Sequence, residues 1–344
     1  MSASWPKAPG VEVTSLSVVV PTWNGGPRFV RLLEVLGEQK LPGGFELIVI
    51  DSGSTDGSPE AAARAGARVI SIDQREFQHG RTRNRAIGES TGEVIVLLTQ
   101  DAVPIGQGYL AALRRMFEAA PDGGAPIDAA YARQFPQPDC DPILAERLRR
   151  WSASRDTSVV QELTSGDPEA SRAKYEALEP LERLSACAFD NVASAVRRSS
   201  WNRFPYPEVP FGEDVALGKQ LLLAGGRIGF CAEAEVEHSH ALELKREFKR
   251  LYADHRNLHA LFGVRTVPSW RHVWRGWKPQ SRYYAELIDS QTGLSEKERK
   301  HWKRIGHWHA LSEAAAQFLG ARSWWKTESS WLWRKFDGWA RRGV

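Results

Sequence analysis

Apolar residues along this chain fall into two alternating rhythms. Short apolar-rich runs stand at 16–20, 45–50 and 68–72, and an unbroken one at 94–98. Such runs, rich in β-branched side chains, suit parallel strands buried on both faces. Between them Phe29, Leu32, Leu33 and Leu36 recur at helical spacing, and Pro27 sits where a first helical turn tolerates it. An acidic, Gly/Ser-rich turn at 51–58 opens a second helix through Ala61, Ala62, Ala63 and Ala65, and the stretch 77–84 leads into a third that reaches Gly88. This order of strand and helix over about 100 residues predicts a parallel sheet with helical crossovers.

The pattern loosens afterwards. Residues 109–117 read as an amphipathic helix, and 129–135 and 189–196 as strands. The span 136–184 is polar and without clear period, which predicts helical pieces and a mobile loop around 165–168. Phe211-Gly212-Glu213-Asp214 precedes a helix carrying Val215, Leu217, Leu221 and Leu222. Two short strands at 228–231 and 234–236 end in Glu237-His238-Ser239-His240, and from Leu242 onward the chain reads as helical, basic and aromatic.

Composition changes this picture only at the C-terminal end. The 344 residues are 42% hydrophobic and 26% charged, ordinary for a soluble globular protein. The net charge of +4 is too mild to point to nucleic acid. Ten of the fourteen Trp lie after residue 269. The three Cys, 140, 187 and 231, fit neither a disulfide framework nor a zinc spacing, which suits a reducing cytoplasm. The first fourteen residues hold no apolar signal core, and no run of apolar residues is long enough to span a bilayer. Neither a Gly-x-Gly-x-x-Gly fingerprint nor a Walker lysine is present.

The candidate chemistry sits where the predicted strands end, the edge at which open α/β sheets bind ligands. Asp101 follows the run 94–98 in Thr99-Gln100-Asp101-Ala102-Val103-Pro104. A carboxylate there can hold a hard cation that bridges phosphates, and it can equally be a turn residue. His238 and His240, two apart at a strand end, share a side and are further candidate ligands. Arg83 and Asn84 open a helix, where Arg can meet a phosphate in bidentate fashion. Glu213 and Asp214 head another, where acids are favoured by the helix dipole alone.

Taken together these segments resemble the inverting family 2 glycosyltransferases of the GT-A fold. The resemblance rests on Val18-Val19-Val20-Pro21-Thr22-Trp23-Asn24, Ile50-Asp51-Ser52-Gly53-Ser54-Thr55-Asp56, Arg83-Asn84, Asp101 and Glu213-Asp214. The wording of Phe77-x-His79-Gly80-x-Thr82-Arg83-Asn84, Ala130-Tyr131-Ala132-Arg133-Gln134 and His238-Ser239-His240 is similar to the bacterial rhamnosyltransferase branch. The resemblance spans about residues 15–260. It implies an α/β GT-A fold, a mixed, mostly parallel sheet flanked by helices with a helical C-terminal extension. It also implies an N-terminal tail (1–14), a catalytic domain (15–241) with a nucleotide-binding half (15–104) and an acceptor half (105–241), and a helical C-terminal region (242–344).

The resemblance further implies roles. Pro21, Thr22, Asn24, Asp51, Ser54, His79, Arg83, Asn84 and Gln100 would line the donor site, with Asp51 on the nucleobase or ribose and Arg83 on the diphosphate. For Asp51 the competing reading is a turn cap, and for His79 a structural histidine. Asp101 would hold Mg²⁺ or Mn²⁺ with help from His238 and His240, because Thr99 stands where the family's metal motif carries its first acid. Asp214 would be the general base and Glu213 would orient. The implied reaction moves a deoxyhexose, L-rhamnose from dTDP-β-L-rhamnose, onto a glycan hydroxyl, with a lipid-linked acceptor among the options. The alternatives are a UDP-hexose donor and a non-catalytic nucleotide- or glycan-binding relative. The Trp and Arg/Lys residues of 322–344, among them Trp324, Trp325, Trp331, Trp333 and Trp339, suit the inner face of the cell membrane, and their competing reading is a packed helical subdomain. A nucleic-acid partner is not expected.

Overall fold

The computed structural model describes residues 14–342, so the N-terminal tail expected over 1–14 lies outside the described residues apart from Thr14. The chain forms two compact units. The first comprises residues 1–137, 148–178 and 185–239, and the second 138–147, 179–184 and 240–344. The second unit therefore takes in two segments that the sequence places in the acceptor half.

The first unit is built on one sheet. In chain order its strands are β1 (Leu16–Thr22), β2 (Glu46–Asp51), β3 (Arg68–Ser71), β4 (Val94–Leu98), β5 (Val103–Pro104), β6 (Ala129–Phe135), β7 (Val159–Glu162), β8 (Ala193–Arg197) and β9 (Arg227–Glu237). They lie in the order β3-β2-β1-β4-β8-β6-β9-β5, with β7 paired to β9. Strands β3, β2, β1 and β4 are parallel, as the alternating pattern predicts. β8 then reverses direction between β4 and β6, so the sheet is mixed. Val18, Val19, Val20 and all five residues of β4 are buried, as expected of central strands.

The helices α1 (Gly26–Gly37), α2 (Ser58–Arg64), α3 (His79–Glu89) and α4 (Tyr109–Glu118) follow the first strands. Phe29, Leu32, Leu33 and Leu36 of α1 and Leu110, Leu113 and Met116 of α4 bury their apolar sides in the same core. The span 136–184 resolves into α5 (Pro142–Leu148), a short π-helical turn, β7, α6 (Pro168–Ala177) and α7 (Pro180–Ala186). The expected loop at 165–168 is a capped turn. Asp167 accepts from the Ala170 amide, and the Gly166 amide donates to the Gly225 carbonyl. The two short strands expected at 228–236 are one strand, β9, whose pairing with β6 shifts register between Ala132 and Arg133. Helices α8 (Arg198–Arg203) and α9 (Glu213–Leu223) complete the unit.

The second unit contains α10 (Leu244–Phe262), α11 (Trp270–Ser290), α12 (Glu296–Gly320), α13 (Ser323–Ser329) and α14 (Trp331–Ala340). Ile143, Tyr284, Ile288 and Ala310 form one core there, and Leu251, Tyr252, Ala316 and Ala340 another. Part of the aromatic stripe at 322–342 belongs to this packing. Phe336 meets Tyr252, Phe248 and Trp333 edge-on, and Trp339 lies tilted against it. Trp324, Trp331, Leu332 and one side of Trp339 remain exposed. No described helix is long and apolar enough to cross a membrane.

Candidate active site

The strand register gathers the expected residues on one edge. β1 and β2 end side by side at Thr22 and Asp51. β4 is followed by Thr99, whose amide donates to the Val192 carbonyl just before β8. β9 ends opposite β5 and leads into His238, whose amide donates to the Phe135 carbonyl. Residues far apart in sequence thus meet because neighbouring strands stop at one level.

Side-chain hydrogen bonds tie the ends of β1 and β2 together. Thr22 Oγ1 donates to Gln100 Oε1, which also accepts from the Trp23 amide. Asn24 adopts a left-handed conformation with φ of 46°, which Asn tolerates better than most residues. Its amide donates to Ser54 Oγ, and its own Oδ1 accepts from the Thr55 amide. Asp51 is buried, and its carboxylate accepts from the amides of Gly53 and Ser54 and from Ser54 Oγ. In this geometry Asp51 holds its own turn, the competing reading that the sequence leaves open. Asp56 does similar work, accepting from the amides of Ser58 and Gly26. Pro21 takes its place in β1.

The acids at the start of α9 are aimed by Gly212, whose φ of 74° lies in the region that favours glycine. Glu213 is buried and pairs with Arg83 at 2.8 Å, while Asn191 Nδ2 donates to the same oxygen. Burial alone would raise the Glu213 carboxyl, but Arg83, His79 and the hydrogen bonds hold it below its ordinary value. Asp214 is half-buried and accepts from the amides of Asn191 and Val215. Burial, with the charges of Glu213 and Asp190 beside it, pushes its carboxyl up to about 8. The two adjacent acids therefore differ sharply in basicity.

The structure pairs Arg83 with Glu213, beside which the diphosphate contact implied by the resemblance would be a second role. Asn84 is likewise engaged, donating to the Tyr206 carbonyl and accepting from Trp201 Nε1 and the Tyr206 amide. It braces the segment leading to α9. Burial lowers the His79 pKa, with Glu213 opposing the shift and Arg83 adding to it.

At the end of β4, Asp101 Oδ1 lies 3.7 Å from His238 Nε2. Both atoms are metal-ligand types, and the distance exceeds a direct hydrogen bond. The Thr99 hydroxyl, two residues before Asp101, is buried without a hydrogen-bond partner. An oxygen and an imidazole at that spacing fit a divalent cation. His240, the third expected ligand, opens the second unit.

Sequence reasoning missed Asp190, Asn191, Gln134 and Tyr206 as site residues. Asn191 Oδ1 accepts from Tyr206 Oη and Ser194 Oγ, and Gln134 Nε2 donates to Asp190. The polar pair Asp190-Asn191 at the head of an apolar strand was the available signal.

Acids, a histidine and hydroxyls gather along the carboxyl edge of this α/β sheet, the edge at which open sheets bind ligands. Residues 17–132 match the model of Glycosyl transferase family 2. The chain is 31% identical over 241 residues to the O-antigen chain rhamnosyltransferase RfbN of Salmonella typhimurium, covering 69% of this chain and 70% of that protein. It is 27% identical over 283 residues to the N-acetylglucosaminyl-diphospho-decaprenol L-rhamnosyltransferase of Mycobacterium tuberculosis, covering 74% and 86%. The mannosyltransferase PcManGT of Pyrobaculum calidifontis, solved with GDP-Man and Mn²⁺, aligns with a TM-score of 0.47 at 17% identity over 98% of this chain and 87% of that one. The chain belongs to glycosyltransferase family 2 and has the GT-A fold. It is a glycosyltransferase.

Proposed function

We propose that the enzyme transfers L-rhamnose from dTDP-β-L-rhamnose to a hydroxyl of a bacterial surface glycan, with inversion at the anomeric carbon. The observation that carries the mechanism is the pair of unlike acids at the start of α9. Asp214, with its raised affinity for a proton, takes the acceptor's hydroxyl proton as that oxygen attacks the anomeric carbon. Glu213, held ionised against Arg83, orients the helix start and the base rather than accepting the proton. Thr22, Asn24, Ser54 and Gln100 shape the nucleotide pocket, with Asp51 as its floor.

Asp101 and His238, with His240 two residues on, would hold Mg²⁺ or Mn²⁺. When bound, such an ion supplies positive charge to the departing diphosphate. The Salmonella relative's name supports a rhamnosyl donor and an O-antigen type of acceptor. The mycobacterial relative's name supports an acceptor carried on a lipid diphosphate, which suits work in the cytoplasm at the inner membrane face.

The test is a panel of nucleotide sugars, dTDP-rhamnose and UDP-hexoses, assayed for thermal stabilisation and for transfer to a glycan acceptor, with NMR of the new linkage. Stabilisation by dTDP-rhamnose with an inverted product is expected. Preference for a UDP-hexose would replace the donor, and binding without transfer would make the chain a non-catalytic relative.

A further inference from the structure

The longest acid-free stretch of the second unit runs from His255 to Ala285 and contains six Arg/Lys residues. Its second half is α11. Trp270, Trp274 and Trp277 recur there at the spacing that keeps residues on one side of a helix. Arg271, Arg275, Lys278 and Arg282 repeat that spacing one position on, so a cationic stripe runs beside the indole stripe. All four cations are exposed. Trp270 and Trp274 are 45% and 56% exposed, far more than a packed core requires.

Helix α12 completes this face. Trp308 is 50% exposed and stacks on Trp277, whose Nε1 donates to the His307 carbonyl. Trp274 meets Trp277 edge-on. Trp274, Trp277 and Trp308 are thus held in one cluster rather than spread as separate platforms for stacking bases, while Trp270 packs against Phe318. Exposed clustered indoles flanked by unpaired-sign cations match the boundary between lipid headgroups and acyl chains.

We propose that this face of α11, with Trp308, docks the protein on an anionic lipid bilayer. Trp324, Trp331, Leu332 and Trp339 of the C-terminal stripe are exposed as well but lie outside the proposed contact. The occupant is argued from charge complementarity: over residues 270–285 the face offers cations and apolar rings and no acid, and the first acid of α11 is Glu286, at its far end. The inference rests on the reading that the acceptor is carried at a membrane, and it locates the surface that brings the enzyme there.

The test uses the full chain sedimented with vesicles of phosphatidylglycerol and, separately, of phosphatidylcholine. Binding to the first and not the second is expected. Arg275→Glu with Lys278→Glu should weaken binding by about tenfold or more, since each cation near an anionic surface matters at that scale. Trp274→Ala with Trp308→Ala should weaken it as well, and Trp331→Ala with Leu332→Ala should leave it unchanged. All these positions are exposed, and circular dichroism confirms the fold of each variant. Wild-type protein on neither vesicle, or α11 variants that bind as wild type, overturns the proposal. A dimer broken by Trp274→Ala, or an oligonucleotide that alone shows the same losses, overturns it in favour of those occupants. Intact docking with no transfer to a lipid-carried acceptor would instead sink the acceptor reading and leave the docking face standing.

Discussion

Adjacent carboxyl groups rarely share a job when their surroundings differ. Glu213 faces an arginine and stays ionised, whereas Asp214 faces burial and two acids and keeps its proton to about pH 8. A base must first be deprotonated, so kcat/KM should rise with pH and level off above about 8. Asp214→Asn should lower kcat by about 10² to 10⁴-fold and abolish that limb. Donor Kd should stay within a few-fold, because the base serves the acceptor. A variant near wild-type rate with the limb intact would remove Asp214 from the mechanism. The neighbouring ion pair makes a different prediction. Arg83→Met strands a buried carboxylate and should cost about 3 to 5 kcal/mol of stability. Adding Glu213→Gln should restore much of that loss in denaturant melts, and additive losses would mean the two groups are uncoupled. The acids stood out in the sequence through their place in the family resemblance, since heading a helix favours acids in any case. The pairing did not, because 130 residues separate Arg83 from Glu213 and only the fold brings them together.

Elements were legible in proportion to how fully they are buried. β4 was found to the residue, since a strand covered on both faces needs five apolar side chains in a row. β7 was missed: its ends are exposed, it pairs only on β9, and Val159-Val160 alone give too little pattern. β9 read as two strands because Glu233 interrupts its apolar run, while the backbone continues through it. The ends of these strands carry the metal argument. β4 supplies Asp101, and β9 supplies His238 through its pairing with β5 and β6. Calorimetry should therefore find dTDP bound more tightly with Mg²⁺ or Mn²⁺ than with EDTA, and Asp101→Ala should erase the difference without lowering the melting temperature appreciably. Equal affinity in both buffers would take the cation out of donor binding.

At the scale of the whole molecule the buried titratable groups set opposing limits on pH. In the first unit Asp214 has its pKa raised from 3.8 to about 8. The folded chain then binds a proton that the unfolded chain has released. The resulting stabilisation is full below about pH 4 and is lost as pH climbs through 8. In the second unit burial lowers the pKa of His309 and of His255 below the ordinary 6.5. His309 lies against the Tyr284 ring, with Glu313 at 3.8 Å opposing the shift too weakly to reverse it. The unfolded chain takes up protons there first, so stability falls as pH drops through about 6.5. The melting temperature should accordingly pass through a maximum near neutral or slightly acid pH and decline on both sides. Asp214→Asn should flatten the alkaline side alone, and His309→Phe, which keeps a ring in place, the acid side alone. Calorimetric scans from pH 5 to 9 separate the two arms, and an alkaline decline that survives Asp214→Asn would deny that group its raised pKa. The same proton that stabilises the resting fold must leave before the base can act. Catalysis and stability should therefore trend in opposite directions between pH 7 and 8, through one carboxyl group at the start of α9.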